Sequence, residues 1–256
     1  MNIDWIITLL TSITIFFASI VHGVAGFGLA QFGMGIMPFF RSVESAAIIF
    51  SMVATVSNFR IWWSVRDEFD FKEYIKPVIG LLVGMPMGIY IFNQLNEGQI
   101  KVAIGIILIL GTILIILNKQ TKILEKSFKD KKHKPNWFIP IAVGLSAGVL
   151  GGAVAIPGPP MILYGTFMAA SGLWSNAKMK SIFTAFFGTL MLYRVLSVAV
   201  LGDITLSLAI EALITVPAML LGSWIGIEIF KKISSKIFNW VVIVLLIINA
   251  LILLIK

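Results

Sequence analysis

Long apolar runs separated by short polar breaks occupy most of the 256-residue chain. Most of them approach or exceed the roughly 20 residues that an α-helix needs to cross a bilayer. The runs cover residues 5–22, 27–40, 43–65, 74–93, 99–117, 137–152, 158–172, 178–201, 206–230 and 236–255. Two of these runs, 27–40 and 158–172, are too short for an easy crossing. The pattern predicts an all-α integral membrane protein with about eight to ten membrane segments.

A long hydrophilic segment, residues 118–136, divides the chain into two nearly equal parts. Both parts show the same order of apolar elements, which indicates an internal duplication. We therefore expect a first transmembrane repeat over residues 1–117 and a second over residues 137–256. The basic segment between them is the predicted linker.

Two pairs of short blocks support the duplication. GVAGFGLAQFG at 23–33 aligns with GVLGGAVAIPG at 148–158, with five of eleven positions identical. GMPMGIYIF at 84–92 aligns with GSWIGIEIF at 222–230, with five of nine identical. Without gaps, the first alignment places Gln31 opposite Ile156, so we expect the two halves to differ in polarity there.

The positions of lysine and arginine predict the orientation, because cytoplasmic loops carry an excess of both. In the arrangement that we consider, each half consists of a re-entrant hairpin followed by three crossings. Because three is an odd number, the second half is inverted relative to the first. This arrangement puts nearly all loop cations, including Lys178 and Lys180, on the side of the linker. Parallel repeats distribute them more evenly. We expect a cytoplasmic linker, both termini outside, and an inner (plasma) membrane location.

The composition agrees with a lipid environment: 59% of residues are hydrophobic, 12% are charged, and the mean hydropathy is +0.99. The net charge of +8 follows from the loop cations and needs no nucleic-acid partner. The absence of cysteine excludes disulfides and thiolate metal sites. The chain also lacks HExxH, P-loop and nucleophile-elbow motifs, so we expect no enzyme activity and no cofactor.

Two interrupted segments occupy matching places in the halves. GVAGFGLAQFGMGIMP at 23–38 holds five glycines, and GVLGGAVAIPGPPMILYG at 148–165 holds three prolines. Such residues interrupt helices, and non-helical backbone at membrane depth is tolerated where it is buried or lines a wet cavity. A short helix starting after each break would present amide groups that favour an anion. The alternative is that small residues only let helices pack closely.

These two segments resemble the TauE/SafE sulfite exporter family of membrane permeases. The resemblance covers nearly the whole chain, including the duplication and the basic central linker. It implies transport, mostly outward, of small sulfur-containing anions such as sulfite, sulfoacetate and other organosulfonates. The resemblance implies a substrate class rather than one ligand, and it points to the two glycine-rich segments as the binding regions.

Candidate binding residues lie in these segments and on nearby spans. They are Gly26, Phe27, Gly28, Gln31, Gly33, Gly151, Gly152, Pro157, Gly158, Pro159, Tyr164, Thr184 and Arg194. Amide and hydroxyl groups among them would donate hydrogen bonds to an oxyanion. The guanidinium of Arg194 would either hold a sulfonate or serve a structural partner.

Two ionisable residues are candidates for coupling. Glu211 would carry a proton, pair with Arg194, or face the lipid headgroups. His22 adjoins the first break and has an ordinary pKa near neutrality, although packing is the commoner role of a single histidine.

The prediction is a secondary transporter with alternating access and a central site at the two breaks. The proton gradient or the membrane potential would drive it. A channel-like anion conduit is the main alternative, and a membrane enzyme or assembly subunit is a weaker one. The expected partners are a small anion and the lipid bilayer, and a homodimer is one option for the assembly.

Overall fold

The computed structural model describes residues 4–96, 98–100, 102–103, 106 and 135–233. Every regular element within these ranges is helical, and no strand occurs among them. Most of the predicted linker and of the segment 99–117 lies outside the described residues, as does the whole of 236–255.

Four described α-helices come from each half of the chain. They are α1 (Trp5–Ala25), α2 (Leu29–Ile36), α3 (Val43–Trp63), α4 (Phe71–Gln94), α5 (Phe138–Val154), α6 (Gly158–Ala170), α7 (Asn176–Leu201) and α8 (Leu206–Lys232). Five of them, α1, α3, α4, α7 and α8, are long and apolar enough to cross a membrane. The predicted class, an all-α membrane protein, is confirmed.

Polar side chains fix where most of the long helices begin, because they accept hydrogen bonds from amides that have no partner within the helix. These caps are Asp4, Ser42, Asp70, Ser175 and Thr205. The cap at Asp70 starts α4 at Phe71 rather than at the predicted residue 74. The cap at Ser175 likewise starts α7 at Asn176, ahead of the predicted residue 178.

Two close helix pairs, α4 with α5 and α1 with α8, join the halves through glycine. Cβ atoms on Gly84 and Gly226 would overlap the carbonyl oxygens of Leu145 and Ile20, respectively. Helix backbones can approach this closely only where no side chain intervenes. Small residues therefore do serve the close packing that the sequence offered as an alternative reason for its glycines.

Contacts along these pairs give the direction of each helix. Gly23 of α1 lies beside Gly226 of α8, and Ser12 lies 3.5 Å from Thr215 between hydroxyl oxygens, so α1 and α8 run the same way. Gly144 packs on Pro77, and Gly152 packs farther along α4, so α4 and α5 also run the same way.

The central pair, α3 and α7, runs in opposite directions. Asn58 lies beside Gly188, whereas Ile48, earlier on α3, lines a cavity with Val198, later on α7. Tyr74 contacts Thr189, and Phe92, later on α4, lies near Arg194, later on α7, so α4 is parallel to α7. Thr11 contacts Arg41, just before α3, and His22 contacts Ser57, so α1 is parallel to α3. Helices α1, α3 and α8 therefore run one way, and α4, α5 and α7 run the other.

This arrangement defines two ends of the helix bundle. The Asp203 end holds the starts of α1, α3 and α8, with residues Arg41, Glu44 and Asp203. The Asp70 end holds the starts of α4, α5 and α7, with residues Asp70 and Lys178.

Candidate functional site

The chain breaks between α1 and α2 and again between α5 and α6. After α1, Gly26 and Gly28 adopt φ angles of 77° and 96°, a left-handed conformation that glycine enters without steric cost. After α5, Ala155 adopts a φ of 57°, which is uncommon for a residue with a side chain. Both hairpins therefore turn through a left-handed residue immediately after the first helix.

The helix ends give a structural register between the two hairpins. Gly26 and Ala155 occupy the same place after α1 and α5, and Leu29 and Gly158 both begin the following helix. The ungapped alignment, which places Gly33 opposite Gly158, is therefore wrong by one helical turn. The residue equivalent to Gln31 is Pro160 rather than Ile156, so the expected difference in polarity remains.

A cavity of about 20 Å³ lies between the two breaks. This volume is about that needed for one water molecule. Six residues predicted for the site line it: His22, Phe27, Gly28, Gln31, Pro157 and Gly158. The remaining wall comes largely from apolar side chains of α3 and α7, together with Asn58.

Unpartnered polar atoms face this cavity region. Gln31 is 2% exposed, and its Nε2 atom has no hydrogen-bond partner among the described residues. The Nε2 atom points at Gly158, where a Cβ would overlap it. Asn58 Oδ1 also has no described partner, although its Nδ2 donates to the carbonyl of Ala54 at 2.8 Å. His22 Nδ1 is 3.0 Å from Ser57 Oγ.

The two helix starts beside the cavity differ in the donors they offer. In α2, the amide of Phe32 donates to the carbonyl of Gly28 at 3.0 Å. The amides of the three preceding residues lie at the open N-terminus of the helix. In α6, Pro159 and Pro160 follow Gly158 and have no amide hydrogen. The first hairpin therefore supplies most of the backbone donors, and the second forms mainly a wall.

A buried cation from α7 reaches the last turn of the first helix in each hairpin. Lys180 Nζ donates to the carbonyl of Gly23 at 2.5 Å, and Arg194 donates to the carbonyls of Gly151, at 2.9 Å, and Gly152. Gly23 and Gly152 are equivalent in the structural register. Positive charge at a helix C-terminus is favourable, and the bonds to Gly23 and Gly152 satisfy carbonyls that the helix leaves open. The carbonyl of Gly151 also accepts the amide of Ala155 at 3.0 Å.

The aromatic partners of the two cations are equivalent as well. Lys180 Nζ lies 3.7 Å from the ring centre of Phe230, and Arg194 Cζ lies 5.3 Å from that of Phe92. These phenylalanines close the aligned blocks 84–92 and 222–230. In each hairpin, the last turn of the first helix therefore bonds to a cation that lies near an aromatic ring.

Comparison with known families identifies the chain. A sequence profile described as sulfite exporter TauE/SafE matches residues 11–253, nearly the whole length. The chain belongs to the TauE/SafE sulfite exporter family. Parallel comparisons with curated proteins and with solved structures found no match. Membership in a transporter family and the five long apolar helices together make the chain a multi-pass membrane protein.

Within this TauE/SafE member, two polar residues near the site were missed by sequence reasoning. Lys180 was counted as a loop cation, which is wrong because the side chain is fully buried within the helix bundle. Asn58 was not singled out, although a carboxamide within the apolar run 43–65 is unusual. The available signal for both was a polar residue inside or at the edge of a predicted span.

Several predicted site residues lie away from the cavity. Tyr164 packs its ring against Trp174, and Thr184 donates its hydroxyl to the carbonyl of Lys180 at 2.9 Å. Other predicted residues do not line the cavity: Gly26, Gly33, Gly151, Gly152, Pro159 and Arg194. Gly26, Gly33 and Gly151 pack closely against neighbouring side chains. Gly152 and Arg194 line a second cavity, at the Asp203 end.

Glu211 does not pair with Arg194. Its carboxylate accepts a hydrogen bond from Arg41 at 2.6 Å, and Arg41 also donates to Thr11 at 3.2 Å. Both charged side chains are largely buried, at 6% and 11% exposure. The pair lies at the Asp203 end and does not line the cavity between the breaks.

The two ends of the bundle also differ in charge pairing. At the Asp70 end, Lys178 donates to Asp70 at 2.7 Å, and this bond holds the pKa of the carboxyl group below its ordinary value. At the Asp203 end, Glu44 and Asp203 both line a cavity of about 320 Å³. Each end therefore holds an ion pair, and the Asp203 end also has two exposed carboxylates beside this cavity.

Proposed function

We propose that this TauE/SafE member is a secondary transporter that exports a small anion, such as sulfite or an organosulfonate, and binds it between the two breaks. The observation that carries the proposal is Gln31 Nε2, a buried donor that has no described partner and faces Gly158 across the hairpin junction. Leaving a buried donor unsatisfied costs about 1–3 kcal/mol. A ligand oxygen at this position would remove that cost.

The surrounding groups suit an oxyanion. The open N-terminus of α2 contributes amide donors and a partial positive charge. Asn58 Oδ1 is an acceptor without a described partner, and it suits a hydroxyl or a protonated oxygen of the ligand. Apolar walls exclude water, which strengthens each of these polar contacts.

The size of the cavity and the directions of the helices support alternating access. Because about 20 Å³ holds no more than one water, the hairpins must separate to admit an anion. Each second-half helix α5, α7 and α8 runs opposite to its counterpart α1, α3 and α4, which supports inverted repeats over 1–117 and 137–256. Inverted repeats with a central site at broken helices are a common transporter design.

The proposed orientation has the Asp203 end outside and the Asp70 end, with the linker, in the cytoplasm of a plasma-membrane protein. The loop cations support it. The chain has no cysteine, so a single introduced cysteine reports its own location. D203C is expected to react with a membrane-impermeant thiol reagent on intact cells, and D67C only after lysis. The reverse result would overturn the orientation.

Transport is tested with purified protein in liposomes loaded with sulfite, sulfoacetate or ethanesulfonate. The wild-type protein is expected to give saturable flux. Gln31→Met keeps the side-chain length but removes the donor, so the apparent affinity should fall at least about tenfold, as for a lost hydrogen bond to a charged ligand. The matched control is Gln94→Met, at an exposed glutamine on α4.

Three outcomes contradict the proposal. Undiminished affinity in the Gln31 variant would remove the central site, and flux that rises linearly with concentration would indicate a channel-like conduit. Transport of only neutral or cationic solutes would exclude an anion site.

Coupling to protons, with His22 as the candidate at the cavity, predicts that an imposed pH gradient drives uphill flux and that His22→Gln abolishes this effect.

A further inference from the structure

The cavity at the Asp203 end has its own polar floor. About 320 Å³ of space lies between α3, α4 and α7. Buried Arg194, 3% exposed, lies at its inner side with Gly152, and exposed Glu44 and Asp203 lie at its rim. This space is many times larger than the one between the breaks, so it can hold a small organic anion.

The guanidinium of Arg194 has one edge in use and one edge free. Its NH1 group donates to the carbonyls of Gly151 and Gly152, and its face lies over the ring of Phe92. Nε is buried and has no hydrogen-bond partner among the described residues, and no described group bonds to NH2. Nε and NH2 together form the side of the guanidinium that binds two oxygens of one oxyanion.

The equivalent cation lacks this spare capacity. Lys180 is fully buried, bonds to Gly23 and lies against Phe230, and it lines neither the cavity between the breaks nor the cavity at the Asp203 end. A lysine is sufficient to satisfy the helix carbonyl. The arginine therefore has more hydrogen-bond donors than this structural task requires, and it lies beside a large cavity with polar lining.

We propose that the Nε–NH2 edge of Arg194 binds a sulfonate or sulfite through two oxygens, as a second subsite between the breaks and the Asp203 end. This proposal rests on the proposed anion transport. The carboxylates of Glu44 and Asp203 at the rim lower the concentration of anions near the mouth. The subsite therefore binds an anion that arrives from the breaks and releases it readily to the outside.

Protection of a cysteine in this cavity tests the subsite directly. Val198 lies one helical turn after Arg194 and lines the same cavity. Saturating ethanesulfonate should slow the labelling of V198C by a small uncharged thiol reagent at least about threefold. Dimethyl sulfone, an uncharged compound of similar size, should give no protection. The control L206C, at the same end but outside the cavity, should label at the same rate with and without ethanesulfonate.

A conservative substitution then assigns the protection to the guanidinium edge. In the V198C background, Arg194→Lys keeps the positive charge near Gly152 but removes the paired donors. The ethanesulfonate concentration needed for half-protection should rise about tenfold or more. Its unfolding temperature is measured first, because only a folded variant reports on binding. If R194K does not fold, protection of V198C with Arg194 unchanged, by ethanesulfonate but not by dimethyl sulfone, still decides the proposal.

The outcomes separate this subsite from the central site. Protection that persists with Gln31→Met supports an independent subsite. Protection that disappears with Gln31→Met, or survives unchanged with Arg194→Lys, overturns it, as does its absence in a protein that shows saturable anion flux. Protection without any anion flux in liposomes would support the subsite while contradicting the proposed transport.

Discussion

The two hairpins end their first helices in the same way but with different cations. Lys180 satisfies the carbonyl of Gly23 in a place that is fully closed, whereas Arg194 satisfies the carbonyl of Gly152 beside a cavity of about 320 Å³. Both cations come from α7, so one helix supports both breaks. Both cations satisfy a helix carbonyl, and they differ in the hydrogen-bond donors that remain unused.

The difference separates a structural cation from a candidate binding cation. A lysine is a point charge on a flexible stem, and one carbonyl with an aromatic ring is sufficient to hold it. An arginine carries five donors in a fixed plane, so it can bind a helix end and still present an edge to a ligand. Burial alone would rank the two residues equally, and only the adjoining space distinguishes them.

The largest expected effect tests whether the halves are equivalent at their glycine contacts. A Cβ on Gly226 would overlap the carbonyl oxygen of Ile20, and a Cβ on Gly88 would overlap that of Val149. Gly226→Val and Gly88→Val should each destabilise the protein by more than about 4 kcal/mol, because backbone atoms cannot yield. Folded yield after size-exclusion chromatography measures this loss.

The matched control for the glycine variants is Gly98→Ala, whose Cβ would lie 3.4 Å from the Asn96 side chain, an ordinary contact. This variant should give the wild-type yield. If only one of the two glycine variants fails to fold, the two helix pairs are not equivalent.

A reciprocal exchange of the cations should give an intermediate effect. Lys180→Arg introduces a larger group at a fully buried position and should cost about 1–3 kcal/mol. Arg194→Lys leaves space that water can occupy, so it should cost about 1 kcal/mol or less. The midpoints of thermal unfolding in one detergent compare the two variants. A greater loss for Arg194→Lys would mean that Lys180 is the less constrained cation.

The smallest expected effect concerns the ion pair that closes the Asp70 end. Because the hydrogen bond from Lys178 lowers the pKa of Asp70, the folded state favours the carboxylate more than the unfolded chain does. The stabilisation is complete above the unfolded pKa and is lost as pH falls through the folded pKa. The pair is partly exposed, so it contributes less than about 1 kcal/mol.

Asp70→Asn checks this sign. The difference in unfolding temperature between wild type and variant should be largest near neutral pH and should shrink as the pH falls below about 4, the ordinary pKa of aspartate. Asp67→Asn, at a side chain that is 98% exposed, should show little difference at any pH. A difference that grows on acidification would contradict the assigned ion pair.

Local patterns predicted those parts of the site that depend on nearby residues. The breaks were predictable because glycine and proline act within a few residues of their own position, and Gln31 was visible as a polar residue in one of them. The register between the hairpins was not predictable, since a shift of one helical turn preserves the glycine pattern of an ungapped alignment. Lys180 was misplaced because a lysine near a span start has the same sequence context in a loop or in a core.

The sequence by itself determined the membrane class, the two breaks and the family, because these depend on composition, spacing and motif. Only the tertiary structure decided which cation reaches which break. It also paired Glu211 with Arg41 and placed Arg194 beside a cavity. Such partnerships join residues far apart in the chain, and only the packing of helices brings them within hydrogen-bonding distance.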